Sequence, residues 1–302
     1  MINIAETAYL VAMYRALESE RVDALFKDPL ARVLAGGKGE MLVEVIGEKD
    51  KITNAIAIRT YVIDNLILQL VNSKKIDTVI NLAAGLDTRP YRLPLYASLR
   101  WIEVDLPEII AYKEQLLKDQ QPLCSLERVK LDITNLALRK TFFSEINHAT
   151  RQALVITEGL LSYLHETQVA LLATDIYEQS NLNWWLFELE SSLALKNYDQ
   201  VYARKIFDQY FANGNKTLLF APEQGAEFFQ QYNWKVAKSV SAWKELHRLN
   251  RGIKFTWLLE IIMKWVANEY WEKIQQQGSI VLLERSPAVS DLVKTKEVVE
   301  KR

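Results

Sequence analysis

The stretch "VINLAAGLDTRPYRL" (Val79 to Leu93) decides how the chain is read. Val79, Ile80 and Leu82 form a short apolar run that ends in a loop, the pattern of a strand buried on both faces. The loop holds one glycine, Gly85, where phosphate-cradling loops carry two or three. An acid and two arginines, Asp87, Arg89 and Arg92, follow directly. A loop of this kind suits a ligand that brings no pyrophosphate.

On the C-terminal side of this stretch, short apolar runs alternate with helical ones. "TVINLA" (78–83), "RWIEVD" (100–105), "RVKLDI" (128–133), "ALVITEG" (153–159) and "NWWLFELE" (183–190) read as strands. "LPEIIAYKEQLLKDQ" (106–120), with Pro107 in its first turn, and "ETQVALLATDIYEQS" (166–180) read as helices. Strands at this spacing with helical crossovers give right-handed βαβ units and a doubly wound, parallel α/β sheet. The alternation lapses over 192–230, a mostly helical stretch that includes Tyr198, Tyr202, Phe207, Tyr210 and Phe211. It resumes with "WKVAKSV" (234–240), a long helix near 254–277 and a last strand, "SIVLLER" (279–285). The polar tail from Ser286 onward is expected to fray.

On the N-terminal side, Ala5, Ala8, Tyr9, Ala12, Met13, Ala16 and Leu17 recur at helical spacing. "KDPL" (27–30) reads as a turn with Pro29 at the first position of the next helix. A third helix, about Lys51 to Val71, has Asn54, Asn65, Gln69 and Asn72 on one side. Ala55, Val62 and Leu66 are read on the other, with Arg59 among them. The expected organisation is one domain over 1–302: a helical extension (1–75), a sheet core (76–191 and 232–286) and a lid insertion (192–231).

Composition bounds the function. The chain has 302 residues, 49% hydrophobic and 25% charged, which suits a globular protein with a large core. A net charge of -1 removes the broad electrostatic case for nucleic acid or an anionic membrane. Cys124 is the only cysteine, and His148, His165 and His247 show no metal-ligand spacing, so no metal is expected. The N-terminus lacks a signal-peptide pattern and no long apolar run occurs, so a cytoplasmic location is expected.

In open parallel sheets ligands bind at the carboxyl ends of the strands. Here strand one runs into Asp87, strand two ends in Glu103 and Asp105, strand three in Asp132 and strand four in Glu158. Such acids suit a ligand rich in donors and positive charge and repel a pyrophosphate. An acid after strand two can accept ribose hydroxyls, and one after strand three an adenine amine. S-adenosylmethionine has these groups, with an ammonium, a sulfonium and no phosphate. Its carboxylate needs a cation, for which Arg59 is the candidate. Structural alternatives stand beside each role: an Arg59 ion pair with an acid such as Asp87, a helix cap at Asp105, an Asx-turn at Asp132. Arg89 and Arg92 are read as pairing with local acids, and Trp184 with Trp185 as core.

These motifs resemble the leucine carboxyl methyltransferase family and its bacterial branch of provisionally assigned O-methyltransferases. "NLAAGLDTRPYRL" matches the family's first motif, N-L-G-A-G-L-D-T-R. "TAYLVAMYRALESE", "DPLA" (28–31), "IRTYVIDNLI" (58–67), "EVDLPEII" (103–110), "LDIT" (131–134), "ITEGLLSYL" (156–164) and "FFQQYNWKV" support it in order. The resemblance implies a class I methyltransferase (Rossmann-like) fold with an antiparallel last strand, and S-adenosylmethionine as cofactor. It implies that Arg59 holds the methionine carboxylate, with Arg15 helping, and that Ala83 to Gly85 pass beneath the methionine portion. Asp105 would take the ribose, Asp132 and Ile133 the adenine, and Glu158 would lie near the amino group. The chain departs from the motif at Ala83, where the family has glycine. A methyl there is costly if φ is positive and harmless if it is negative.

The expected reaction is O-methylation of a carboxylate or hydroxyl, with a small molecule as the expected acceptor, a protein substrate left open, and the lid choosing between acceptors. A hydroxyl acceptor would need a general base, and Tyr163 and His165 follow strand four. Two other classes compete. A nicotinamide oxidoreductase would need a helix N-terminus directly after Gly85, and a non-catalytic scaffold would fill the strand-end cleft.

Overall fold

The computed structural model describes residues 6–197, 202–211, 217–252 and 278–287. The helix expected near 254–277, Tyr198 and nearly all of the tail lie outside them. Three helices open the fold: α1 (Thr7–Ser19), α2 (Ala31–Ile46) and α3 (Lys49–Asn72). Pro29 precedes α2 rather than entering it, because Leu30 is the N-cap. Helices α1 and α2 touch at Gly39, where a Cβ would meet the Tyr9 carbonyl oxygen and Ala35 Cβ at 2.8 Å. Only glycine permits that approach, which sets the N-terminal end of α1 over the sheet's edge. On α3, Ala55 is exposed, not buried as its spacing suggested, and the buried stripe runs through Ala57, Ile58, Val62, Ile63 and Leu66.

Seven strands follow: β1 (Thr78–Leu82), β2 (Arg100–Asp105), β3 (Ser125–Lys130), β4 (Ala153–Thr157), β5 (Leu182–Leu189), β6 (Trp234–Ser241) and β7 (Ser279–Arg285). Their order is β3-β2-β1-β4-β5-β7-β6, with β7 antiparallel to both neighbours and the remaining pairs parallel. The order reverses between β1 and β4, where a parallel sheet opens a crevice. Central β1 and β4 are buried at every residue, as strands covered on both faces must be. On one face, α6 (Leu136–His148), α7 (Glu166–Tyr177) and the 3-10 segment Gly225–Tyr232 pack on Ile80, Val155, Trp185 and Val281. On the other, α3 packs on Val79, Leu154 and Trp184. Trp184 and Trp185 thus enter opposite cores.

Two elements differ from the sequence reading. Strand β3 lies three residues earlier than "RVKLDI" because it is an edge strand. It is registered by its pairing with β2, Arg100↔Ser125 through Asp105↔Lys130, and needs no continuous apolar run. The run that suggested the strand marks its exit, and Ile133 turns into the core. Helix α6, which the reading left unassigned, starts at Asn135, whose side chain accepts from Leu138 N–H at 3.2 Å. Helices α4 (Arg89–Arg92), α5 (Pro107–Leu117), α8 (Ser192–Lys196), α9 (Tyr202–Phe211) and α10 (Ala242–Arg248), with a 3-10 segment at Leu161–Tyr163, complete the described elements. No described helix is long and apolar enough to cross a membrane.

Candidate functional site

A cavity of about 320 Å³ opens at the carboxyl ends of β1, β2 and β4, within the range of small-ligand sites. Its floor is the loop from Ala83 to Asp87, and Thr7, Ala8, Val11 and Arg15 of α1 close one side. Leu131 to Thr134 and Glu158 to Leu160 form two further walls, with Tyr163 and Leu164 beyond. Of the residues expected from sequence, Arg15, Arg59, Ala83, Gly85, Asp105, Asp132, Ile133, Glu158 and Tyr163 all line it. His165 does not. It is the exposed N-cap of α7, and its backbone N–H donates to the Gln168 side chain at 2.8 Å. The last strand-four turn carries Tyr163 toward the cavity and leaves His165 to start the helix.

The loop answers the question set by its missing glycine. Ala83 has φ +52° and Gly85 φ +50°. A left-handed alanine costs on the order of 1 kcal/mol, so the methyl is carried under strain. Gly85 is additionally crowded, since a Cβ there would lie 3.2 Å from Ala8 Cβ. Four of the loop's amides are taken up within the protein. Ala84 N–H donates to the Val104 carbonyl, Gly85 N–H to Asp105 Oδ2 at 2.6 Å, Asp87 N–H to the Ala84 carbonyl, and Arg89 N–H to Asp87 Oδ1. Helix α4 begins four residues after Gly85 and is a single turn. So short a helix gives little N-terminal dipole to hold a phosphate.

Asp105 joins β2 to this loop. Its Oδ1 accepts from Leu106 N–H at 2.7 Å while Oδ2 holds Gly85. It is therefore a loop anchor rather than the cap of α5, whose N-cap is Leu106. Burial pushes its carboxyl above the usual value, opposed by the two amides. Asp132 makes an Asx-turn: its Oδ1 accepts from Thr134 N–H at 2.9 Å and Thr134 Oγ1 at 2.7 Å. The residue is exposed, and both bonds fall on one oxygen. Glu103, the other acid of strand two, is fully buried outside the cavity, paired with Lys113 Nζ at 2.8 Å and Arg128 Nε at 2.9 Å.

The α3 side is an ionic framework. Arg59 Nε lies 2.8 Å from Glu158 Oε1, and Arg59 Nη1 lies 3.6 Å from Glu188 Oε1 at the end of β5. The expected alternative partner, Asp87, goes instead to Arg89 at 3.0 Å and to Asn81 Nδ2 at 2.8 Å. Arg89 also binds Asp64 at 2.6 Å and Glu158 at 2.7 Å. Arg92 binds Asp64, and Arg15 binds Asp28 while its Nη2 donates to the Leu86 carbonyl. Burial favours the neutral forms of Asp87 and Glu158, but Arg89 in both cases, and Arg59 for Glu158, hold them below the usual carboxylate values. Arg59 stays charged for the complementary reason, Glu158 and Glu188 outweighing its burial.

Sequence reasoning missed Asn81, Asp28, Asp64 and Glu188. The last had a visible signal, because "FELE" ends the fifth strand as acids end the first four. Asp28 and Asp64 stand in helices and turns far from any strand, where nothing local marks a partner. The described residues of the 192–231 insertion do not line the cavity. Phe211 packs with the α1–α2 core, and Leu219 N–H donates to the Ser162 carbonyl at 2.7 Å beside Tyr163.

The chain is similar to proteins from two actinobacteria provisionally named S-adenosyl-L-methionine-dependent methyltransferases. One from Streptomyces coelicolor is 34% identical over 186 residues, 58% of this chain and 64% of that protein. One from Parafrankia is 34% identical over 184 residues, 58% of this chain and 59% of that protein. The match thus spans less than two thirds of these relatives' length. Among solved structures, a DUF574 family protein from Streptomyces avermitilis shares the fold with a TM-score of 0.57 at 12% identity. It covers 92% of this chain and 97% of its own. A methyltransferase, provisionally so named, from Thermobifida fusca gives 0.54 at 12% identity, covering 92% and 94%. The family profile described as leucine carboxyl methyltransferase matches residues 8–177, the stretch that builds α1 to α7 and every wall of the cavity, and the chain belongs to that family.

Proposed function

We propose that this chain is an S-adenosylmethionine-dependent O-methyltransferase acting on a carboxylate or hydroxyl of a small molecule. The observation that carries the reading is the chemistry of the cavity: acids from successive strand ends, apolar walls, and a floor loop that leads into a helix of a single turn. The donor set fits this cofactor, which offers hydroxyls, an amine and positive charge, and it does not fit a dinucleotide. The open cleft counts against a filled, purely structural scaffold. The names of the relatives point the same way.

In this reading Arg59 and Arg15 lie on the side of the methionine carboxylate, and the strained backbone of Ala83 to Gly85 passes beneath. Asp105 accepts from the ribose with the lone pairs its two amides leave, Asp132 and Ile133 face the adenine, and Glu158 lies near the amino group. The cofactor, when bound, supplies an electrophilic methyl group on a sulfonium. The chain's part is then alignment and exclusion of water, which suffices for an in-line displacement. No histidine lines the cavity among the described residues. A carboxylate acceptor, ionised at neutral pH, needs no base; for a hydroxyl acceptor Tyr163 is the candidate base that lines the cavity. Tyr163 is the residue placed to meet the acceptor.

The test is calorimetric titration of S-adenosylmethionine and, separately, NADH into the protein and Asp105→Ala. Micromolar binding of the sulfonium compound alone, lost in the variant while its melting transition is kept, is expected. Binding of NADH instead, or of neither, overturns the reading.

A further inference from the structure

The ion pairs beside the cavity form one unbroken chain. It runs from Arg15 to Asp28, to Arg92, to Asp64, to Arg89, which also holds Asp87, then to Glu158, Arg59 and finally Glu188. The chain contains four guanidiniums and five carboxylates. The adjacent group of Glu103, Lys113, Arg128 and nearby Asp105 adds two of each sign, so one negative charge stays uncompensated.

Glu188 is where that excess falls. It is the terminal carboxylate, and its contact with Arg59 is the long one, 3.6 Å against 2.8 Å for Glu158. Its Oε1 accepts from Gly159 N–H, and its Oε2 is buried with no hydrogen-bond partner. A buried, ionised oxygen without a donor is costly. Among the described residues, the groups around Glu188 offer no further cation. Arg59 from α3 is shared with Glu158. Arg89 from α4 is held by Asp64, Asp87 and Glu158. Glu158 from the β4 turn repels it, Tyr163 beyond that turn is no cation, and Ile280, its neighbour on β7, is apolar.

We propose that Glu188 is a positioning and charge-compensating acid for a cationic ligand, holding Arg59 and the Gly159 turn and ionising fully only when the ligand's positive charge completes the cluster. This rests on the methyltransferase reading, with the S-adenosylmethionine ammonium, which that reading puts near Glu158, as the compensating charge. Burial pushes the free Glu188 carboxyl up to about 6, with Glu158 adding to the shift and Arg59 opposing it. Binding therefore expels a proton from Glu188 at pH near or below that value, and affinity weakens as the pH falls.

The test is S-adenosylmethionine titration between pH 5 and 7 in two buffers of different ionisation enthalpy, for the intact protein and Glu188→Gln. The protein is expected to bind about tenfold more weakly at pH 5 than at pH 7, releasing a proton at pH 5. Glu188→Gln is expected to bind with an affinity independent of pH and with no buffer-dependent heat. A flat profile in the intact protein, or the same slope in the variant, overturns the proposal and leaves the methyltransferase reading in place. No binding at any pH overturns both.

Discussion

On the α3 side of the cavity every acid is tied to a guanidinium, whereas on the β2–β3 side Asp105 and Asp132 are held only by amides and one hydroxyl. The first side spans residues from α1 to β5, and Arg89, at its centre, has a side chain only 3% exposed. The second side is made within two short loops, and Asp132 is open to solvent. Charges locked in a buried network fix geometry, since removing one partner strands the rest. Charges held by local turns keep lone pairs for a ligand. In the proposed reading, one wall builds the cavity and the other contacts what enters it.

The most severe way to break this contrast is Arg89→Ala, which leaves Asp64, Asp87 and Glu158 without their shared cation. Denaturant unfolding is expected to show a loss of about 3–5 kcal/mol. Truncation of the exposed Asp132 to alanine is expected to change stability by no more than about 0.5 kcal/mol. Comparable losses at the two positions would mean that the walls are not built differently.

Glu188→Gln probes the end of the network. Its carboxyl is raised in the folded state, so folded protein binds more protons than unfolded protein between the ordinary glutamate value and about 6. The ionised form therefore destabilises, fully so above that window, and the penalty disappears below it. The ligand-free variant is expected to be more stable than the parent by about 1–2 kcal/mol at pH 8. That gain should vanish near pH 4, as read by unfolding curves at both pH values. A gain that is equal at the two pH values would remove Glu188's charge from the account.

A smaller gain belongs to the loop that joins the walls. Ala83→Gly relieves a φ of +52°, so a stability gain of about 0.5–1 kcal/mol is expected. Tighter binding of S-adenosylmethionine should accompany it. Melting temperature and titration check both, and a destabilised variant would show that the methyl packs to advantage.

Much of this site was legible in the chain. The short apolar runs named six of the seven strands within a residue or two, and the acids ending them marked one edge of the sheet. Both signals are local, because burial on a parallel sheet is written into a few consecutive residues. Edge strand β3 was misread by three residues, since with one neighbour its position is set by pairing with β2 rather than by its own hydrophobicity. His165, a candidate base by sequence proximity, sits at the N-cap of α7 and outside the cavity lining. Glu103 looked like a strand-end acid and proved to be the buried partner of Lys113, because alternate strand residues face opposite sides.

The sequence alone determined the fold class, the family and the edge where a ligand would sit. Only the tertiary structure decided which charge meets which: Arg59 with Glu158, Arg89 with three acids, Glu188 at the end of the line. It also decided the sign of φ at Ala83. Strand patterns are carried by neighbours along the chain. Ion pairs join residues distant in sequence, and a strained dihedral is imposed by the packing around it.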